Sequence, residues 1–185
     1  MSFFPAPASV ELVLGGARSG KSSYALACAL RHDRDVCWIA TAQAWDEEMA
    51  SRIRRHQSER PAHWHTIEAP LALAEAIRTA AVTSSLIVVD CLTLWLSNCL
   101  LDNDKLCLAR EQDALAEVLA SHAGRLLLVS NEVGSGIVPD NALARQFRDA
   151  AGHLHQRLAQ LVPDVTILQA GLPFPLKRAG QACWQ

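Results

Sequence analysis

Aromatic residues are scarce, at 5% of 185, and no two of the six cysteines are spaced as C-x-x-C. That absence excludes the common structural zinc sites and redox dithiols. Most of the cysteines, at 28, 37, 91, 99, 107 and 183, sit in apolar runs. There a free thiol behaves as a small hydrophobe, so reduced, buried cysteines in a cytoplasmic protein are expected. Neither sign of charge dominates: 17 Lys and Arg face 19 Asp and Glu, a net charge of −2. A nucleic-acid partner is therefore not expected, since it would call for a basic field. No run approaches the ~20 apolar residues that span a bilayer, so no membrane insertion is expected. The first eight residues, Met-Ser-Phe-Phe-Pro-Ala-Pro-Ala, lack the basic start and continuous apolar stretch of a signal peptide. Half of the chain is apolar and 19% is charged, a balance that supplies a core and excludes disorder.

The length suits a single domain over residues 1–185. Five short apolar runs read as buried parallel strands: Val10–Leu14, Val36–Ala40, Leu86–Asp90, Leu126–Ser130 and Val165–Gln169. Helical patterns separate them at Lys21–Leu30, Asp46–Gln57, Leu71–Ala81, Leu92–Leu100, Leu108–His122 and Asn141–Leu161. His63–Glu68 adds a short edge strand, and Asp140 is the expected N-cap of the last helix. That helix carries one apolar stripe: Leu143, Phe147, Ala150, Leu154, Leu158 and Leu161. The alternation implies an α/β layered fold with a mostly parallel sheet.

Gly15-Gly16-Ala17-Arg18-Ser19-Gly20-Lys21-Ser22 follows the first strand and opens a helix. This is the G-x-x-x-x-G-K-[ST] pattern in the setting that gives it meaning. Glycines let backbone N–H groups turn around phosphate oxygens, and the helix N-terminus adds positive potential. Lys21 reaches the β- and γ-phosphates, and the Ser22 hydroxyl ligates Mg²⁺. Asp90, at the tip of an apolar strand, is the expected metal-side carboxylate. These pieces specify phosphate transfer and leave the acceptor open.

The segment from Thr41 to Pro61 holds a helix with acids at its start and bases at its end. Met49 and Ile53 fall on one stripe with His56 at its margin. Chemistry alone leaves two readings. In one, this is a dipole-matched surface helix with an incidental histidine. In the other, Arg52, Arg55 and Arg60 hold a polyphosphate while His56 attacks it, since nearby positive charge disfavours imidazolium. His63 and His65 lie along the edge strand; His32, His122, His153 and His155 read as peripheral.

The phosphate loop, Ile39-Ala40-Thr41, Asp46–Met49 with Arg52, Ile53 and His56, and Arg60–Trp64 with Thr66–Glu68 come in an ordered series. Asp90–Asn98, Asn131–Pro139, Arg145–Asp149 and, loosely, Gly171–Pro173 continue it. Together they resemble the bifunctional adenosylcobinamide kinase / adenosylcobinamide-phosphate guanylyltransferase family of cobalamin biosynthesis. The resemblance covers roughly residues 10–177. It implies a RecA-like P-loop NTPase fold, a homotrimer and two reactions. First, ATP or GTP phosphorylates the aminopropanol hydroxyl of adenosylcobinamide. Then GTP guanylylates a histidine, pyrophosphate leaves, and GMP passes to adenosylcobinamide phosphate, giving adenosylcobinamide-GDP.

The family's guanylylated histidine falls on His56, which decides between the two readings of that helix. Its nucleotide contacts fall on Gly15, Gly16, Ala17, Arg18, Ser19, Gly20, Lys21 and Ser22. They continue on Ala40, Thr41, Ala42, Gln57, Ser58, Glu59, Arg60, Glu68 and Asp90. Two departures stand out: His155, where the family usually has Asn, and an N-terminal extension through Ser9. In the Asn131–Pro139 loop, Gly134 and Gly136 permit close backbone approach, and Glu132 is expected near the metal or the acceptor hydroxyl. A single-function kinase and a nucleotide-dependent switch are the competing readings, since fold alone does not fix function.

Overall fold

The computed structural model describes residues 9–32, 34–44 and 46–183, apart from the side chain of Arg52. Of the N-terminal extension only Ser9 is among them. The sequence forms β1 (Val10–Gly15), α1 (Lys21–Leu30), β2 (Val36–Ala40), α2 (Glu47–Ser58), β3 (His65–Glu68), α3 (Leu73–Thr83) and β4 (Leu86–Asp90). It continues through α4 (Leu92–Leu101), α5 (Cys107–Ser121), β5 (Arg125–Val129), α6 (Ala142–Leu161), β6 (Asp164–Gln169), β7 (Leu172–Arg178) and β8 (Gln181–Ala182).

All eight strands form one sheet in the order β3-β2-β4-β5-β1-β6-β7-β8. The pairings from β3 through β6 are parallel; β7 and β8 are antiparallel additions. Successive residues of a strand point to opposite faces, and here both faces are apolar. Leu12, Ile87 and Val89 join a core with α3, α4, α5 and α6, whereas Val13, Leu86 and Val88 pack with α1 and Trp64. This double coverage explains why the central strands read as continuous apolar runs.

The register aligns the carboxyl ends. Ala40 lies opposite both Glu68 and Asp90, and Asp90 opposite Val129. Four strands thus end in one row beside the turn that leaves β1.

Three expectations are corrected. Asn141, not Asp140, caps α6: its side chain accepts from Ala144 N at 2.7 Å, the position three residues on that an N-cap oxygen reaches. Of the α6 stripe only Leu154 and Leu158 are buried, with Phe147 and Ala150 half-buried and Leu143 and Leu161 at its ends exposed. The hairpin β7–β8 has no counterpart in the sequence reading, because Pro173 and Pro175 remove two ladder donors from β7. Five cysteines are buried and free, as expected, and Cys183 is free but exposed.

A buried polar network ties the hairpin to the start of the fold. Glu11, in β1, is 2% exposed. It accepts from Tyr24 at 3.0 and 3.2 Å, from Thr166, and from Arg178 Nη1 at 3.2 Å. Arg178 Nη2 also donates to Thr166 Oγ1 at 2.8 Å. Burial, with Glu11 adjacent, pushes the Tyr24 hydroxyl well above its ordinary pKa, so it stays a donor. Removing one partner leaves a buried carboxylate uncompensated, which costs about 3–5 kcal/mol in fully buried pairs. Arg178 is one-third exposed, so Arg178→Met is expected to lower unfolding free energy by about 2–3 kcal/mol in urea titrations. Adding Glu11→Gln is expected to restore part of that loss.

Candidate active site

Gly15 (φ 153°) and Gly20 (φ 102°) give the phosphate loop its shape. A Cβ on Gly15 would lie 2.5 Å from Ser19 Oγ and 2.6 Å from the Leu168 carbonyl oxygen. A Cβ on Gly20 would lie 3.0 Å from Gly171 Cα. Gly171, in the turn between β6 and β7, also donates its N–H to the Ser19 carbonyl at 2.9 Å. The turn therefore backs the loop from behind. Gly16, Ala17 and Arg18 face solvent.

Lys21 opens α1 and is buried, with Nζ donating to the Gly16 carbonyl at 2.7 Å and 3.4 Å from Ser19 Oγ. Burial lowers its pKa, while Cys91 and Asp90 act in the opposite direction. Ser22 follows in the first turn, half-buried.

Asp90 ends β4, and the peptide joining it to Cys91 is cis. Burial raises its pKa, opposed in turn by His56, Arg60 and Lys21. Lys21 after β1, and His56 and Arg60 on α2 and just past its end, thus act on one carboxylate from two segments.

Thr41 fixes this corner. Its hydroxyl accepts from Cys91 N at 2.9 Å and donates to the Cys91 carbonyl at 2.8 Å, and its own carbonyl accepts from Asn98 Nδ2 at 2.9 Å. Thr41 is fully buried. Its side chain acts on the backbone, while Ala40 and Ala42 beside it are half-buried.

The helix α2 is capped by Asp46, which accepts from Met49 N at 2.7 Å. Met49 and Ile53, expected to pack inward, are only half-buried, as is His56 at the margin of their stripe. His56 Nδ1 lies 3.8 Å from Glu59 Oε2.

Of the arginines expected around His56, one turns away. Arg55 is exposed and pairs with Glu59 at 3.2 Å, and the Arg52 side chain lies outside the described residues. Arg60 is the cation turned inward. Its guanidinium sits 4.4 Å from the centroid of the Trp38 ring, which stacks on Trp64 at 6.1 Å and 9°. Such cation–aromatic contact orients a guanidinium without neutralising it. Arg60 Nη1 and Trp38 Nε1 are buried and have no hydrogen-bond partner among the described residues. Gln57, Ser58 and Glu59 are exposed near the end of α2, and Glu68 is exposed at the tip of β3.

Past the end of β5, the neighbour of β1, Ser130 N donates to the Val13 carbonyl and Glu132 N to the Gly15 carbonyl, both at 2.9 Å. His155, read as peripheral from the sequence, has Nε2 2.7 Å from Ser130 Oγ. Burial lowers its pKa, and Glu132 opposes that shift. The segment Gly134–Val138 is exposed.

Trp38, Gly171 and His155 carry parts of this geometry that the sequence does not assign. Trp38 is hidden inside an apolar strand. Gly171 belongs to a loose motif with no function attached, and His155 makes its contact across 25 residues of chain.

The family model described as cobinamide kinase / cobinamide phosphate guanyltransferase matches residues 11–176. The chain is 52% identical over 167 residues to the bifunctional adenosylcobalamin biosynthesis protein CobP of Pseudomonas aeruginosa, covering 90% of this chain and 96% of that one. It is 39% identical over 179 residues to the bifunctional adenosylcobalamin biosynthesis protein CobU of Salmonella typhimurium, covering 90% and 98%. Among solved structures, the RadB recombinase superposes with a TM-score of 0.52 at 18% identity, covering 88% of this chain and 74% of that one. A prototypical ATPase from a bacterial type III secretion system gives 0.53 at 11% identity, covering 88% and 51%. At such identities the last two speak for the fold alone, that of P-loop NTPases.

The two neighbouring glycines make a direct test of the loop's packing. Gly15→Ala places a Cβ against the Leu168 carbonyl at positive φ and is expected to lower stability by about 1–3 kcal/mol and weaken nucleotide binding. Gly16→Ala meets nothing within 4 Å and is expected to stay within about 0.5 kcal/mol of the parent. Urea denaturation and nucleotide titration of the two variants measure the difference.

Proposed function

The chain belongs to the cobinamide kinase / cobinamide phosphate guanyltransferase family, and from that premise we propose that one site performs two successive transfers. In the first, the γ-phosphoryl group of ATP or GTP passes to the aminopropanol hydroxyl of adenosylcobinamide. In the second, His56 displaces pyrophosphate from GTP, and the bound GMP passes to adenosylcobinamide phosphate to give adenosylcobinamide-GDP. The observation that carries this reading is the row of strand ends beside the phosphate loop, where Asp90 lies opposite Ala40 and feels Lys21, His56 and Arg60. A phosphate-loop lysine and a histidine on a separate helix lie within the field of one carboxylate.

Gly15, Gly16, Ala17, Arg18, Ser19, Gly20, Lys21 and Ser22 hold the polyphosphate through backbone N–H groups, the helix N-terminus and the Lys21 ammonium. Ala40, Thr41, Ala42, Gln57, Ser58, Glu59, Arg60, Glu68 and Asp90 complete the nucleotide contacts. Glu59 beside Nδ1 of His56 favours a proton on that nitrogen, which leaves Nε2 as the attacking atom. Attack forms a P–N bond at the α-phosphorus, the α–β bridging P–O bond breaks, and its electron pair leaves with pyrophosphate. Arg60, held over Trp38 with a free N–H, stabilises that charge.

No group of three or more metal-ligating side chains occurs among the described residues. This suits Mg²⁺, which is held by one or two protein oxygens together with substrate phosphates. Ser22 and Asp90 supply those oxygens. The ion neutralises phosphate charge when bound. No helix among the described residues is long and apolar enough to cross a membrane. We further propose a cytoplasmic homotrimer, for which sedimentation is expected to give three times the chain mass of 20.1 kDa.

Incubation with α-labelled GTP and Mg²⁺, then denaturation, tests the covalent step. Label is expected to survive base and be lost in mild acid, as a phosphoramidate does; γ-label is not expected to remain by this route. His56→Ala is expected to abolish retained label and GMP transfer while much of the phosphorylation persists. Lys21→Ala is expected to slow phosphorylation by about 10²–10³-fold, the usual contribution of a preorganised electrostatic group. Acid-labile label on the His56→Ala variant would place the nucleophile elsewhere.

A further inference from the structure

The phosphorylation step must remove a proton from an alcohol, whereas the second transfer is to a phosphate that is already ionised. A general base is therefore needed once. Asp90, assigned above to the Mg²⁺ side of the site, is not free for that role.

Glu132 follows β5, which lies between β4 and β1 in the sheet. Its backbone N–H is bonded to the Gly15 carbonyl at 2.9 Å, which pins it beside the first residue of the phosphate loop. The flanking chain is rigid. Ser130 bonds back to Val13 at 2.9 Å, and its hydroxyl meets His155 Nε2 at 2.7 Å; Asn131 N donates to Thr93 Oγ1 at 3.3 Å. The carboxylate is half-buried and accepts from Gly134 N at 2.5 Å. Among the described residues no cation lies within 4 Å of it. Its other oxygen accepts no hydrogen bond from the described residues, so a lone pair remains available. Beyond it, Gly134–Val138 lie open to solvent.

We infer that Glu132 is the catalytic base of the phosphorylation step, an assignment that rests on the two-transfer reading above. The acceptor O–H bond breaks, and its proton passes to the Glu132 carboxylate. The oxygen bonds to the γ-phosphorus, the β–γ bridging P–O bond breaks, and its electron pair leaves with the nucleoside diphosphate. Glu132 then returns the proton to water. His155 and Ser130 are positioning residues, holding the loop that carries Glu132 against β1.

The test compares Glu132→Gln, Glu132→Asp and Gly134→Ala with the parent in three measurements: kcat and KM for adenosylcobinamide phosphorylation, retention of α-label from GTP, and melting temperature. Positioned bases contribute about 10²–10⁴-fold. Glu132→Gln is therefore expected to lose at least 10²-fold in kcat with KM for adenosylcobinamide little changed, while label retention and melting stay near parental values. Glu132→Asp is expected to recover part of the rate. Gly134→Ala, whose Cβ falls 2.9 Å from Glu132 Oε1, is expected to lower kcat by roughly tenfold without loss of label. Parental phosphorylation by Glu132→Gln would overturn the assignment. So would equal loss of phosphorylation and label, because that outcome marks a structural part. A parent chain that phosphorylates no adenosylcobinamide would overturn the two-transfer reading itself.

Discussion

A carboxylate withdrawn from water at a strand end is unfavourable unless positive groups attend it. Asp90 is in that position, and the groups that attend it come from far apart in sequence. Lys21 arrives from the helix after β1, and His56 and Arg60 from α2 and its end. Placing β4 between β2 and β5, with β1 next to β5, sets these segments along one edge of the sheet. The doubly covered sheet enforces the placement, since a one-residue slip would turn each strand's side chains to the wrong face.

The same economy governs the phosphate loop. Its backbone has to stay curved with its N–H groups free, so other parts of the fold must support it from outside. Support comes from Glu132 N–H on Gly15, from Gly171 N–H on Ser19, and from close packing of Gly20 on Gly171. The Glu11–Tyr24–Thr166–Arg178 network extends this bracing into the hairpin. A chain of satisfied buried hydrogen bonds is rigid because each member would be costly to strand.

Local pattern reveals the central strands and most helices, since continuous apolar runs and amphipathic spacing are direct outcomes of burial on two faces or one. The phosphate loop is equally legible, because its glycines and lysine are fixed by chemistry at short spacing. The hairpin is not, as its prolines mask a strand that forms through pairing to β6 and β8. Arg60 illustrates a different limit. Sequence places it among several arginines, but only tertiary packing selects the one that stacks on Trp38 while Arg55 turns to solvent. His155 likewise acquires meaning only through Ser130, a contact no helical periodicity encodes.

The place of β1 in the sheet also bears on when the site forms during synthesis. β1 is made first, yet both of its neighbours, β5 and β6, are made in the last third of the chain. The Gly171 turn that backs the phosphate loop comes later still. Contacts of such sequence separation are slow to close. A nascent chain leaving the ribosome therefore carries the nucleotide-binding motif long before it has a frame to hold it. For most of its translation, β1 presents two apolar faces and two unpaired backbone edges.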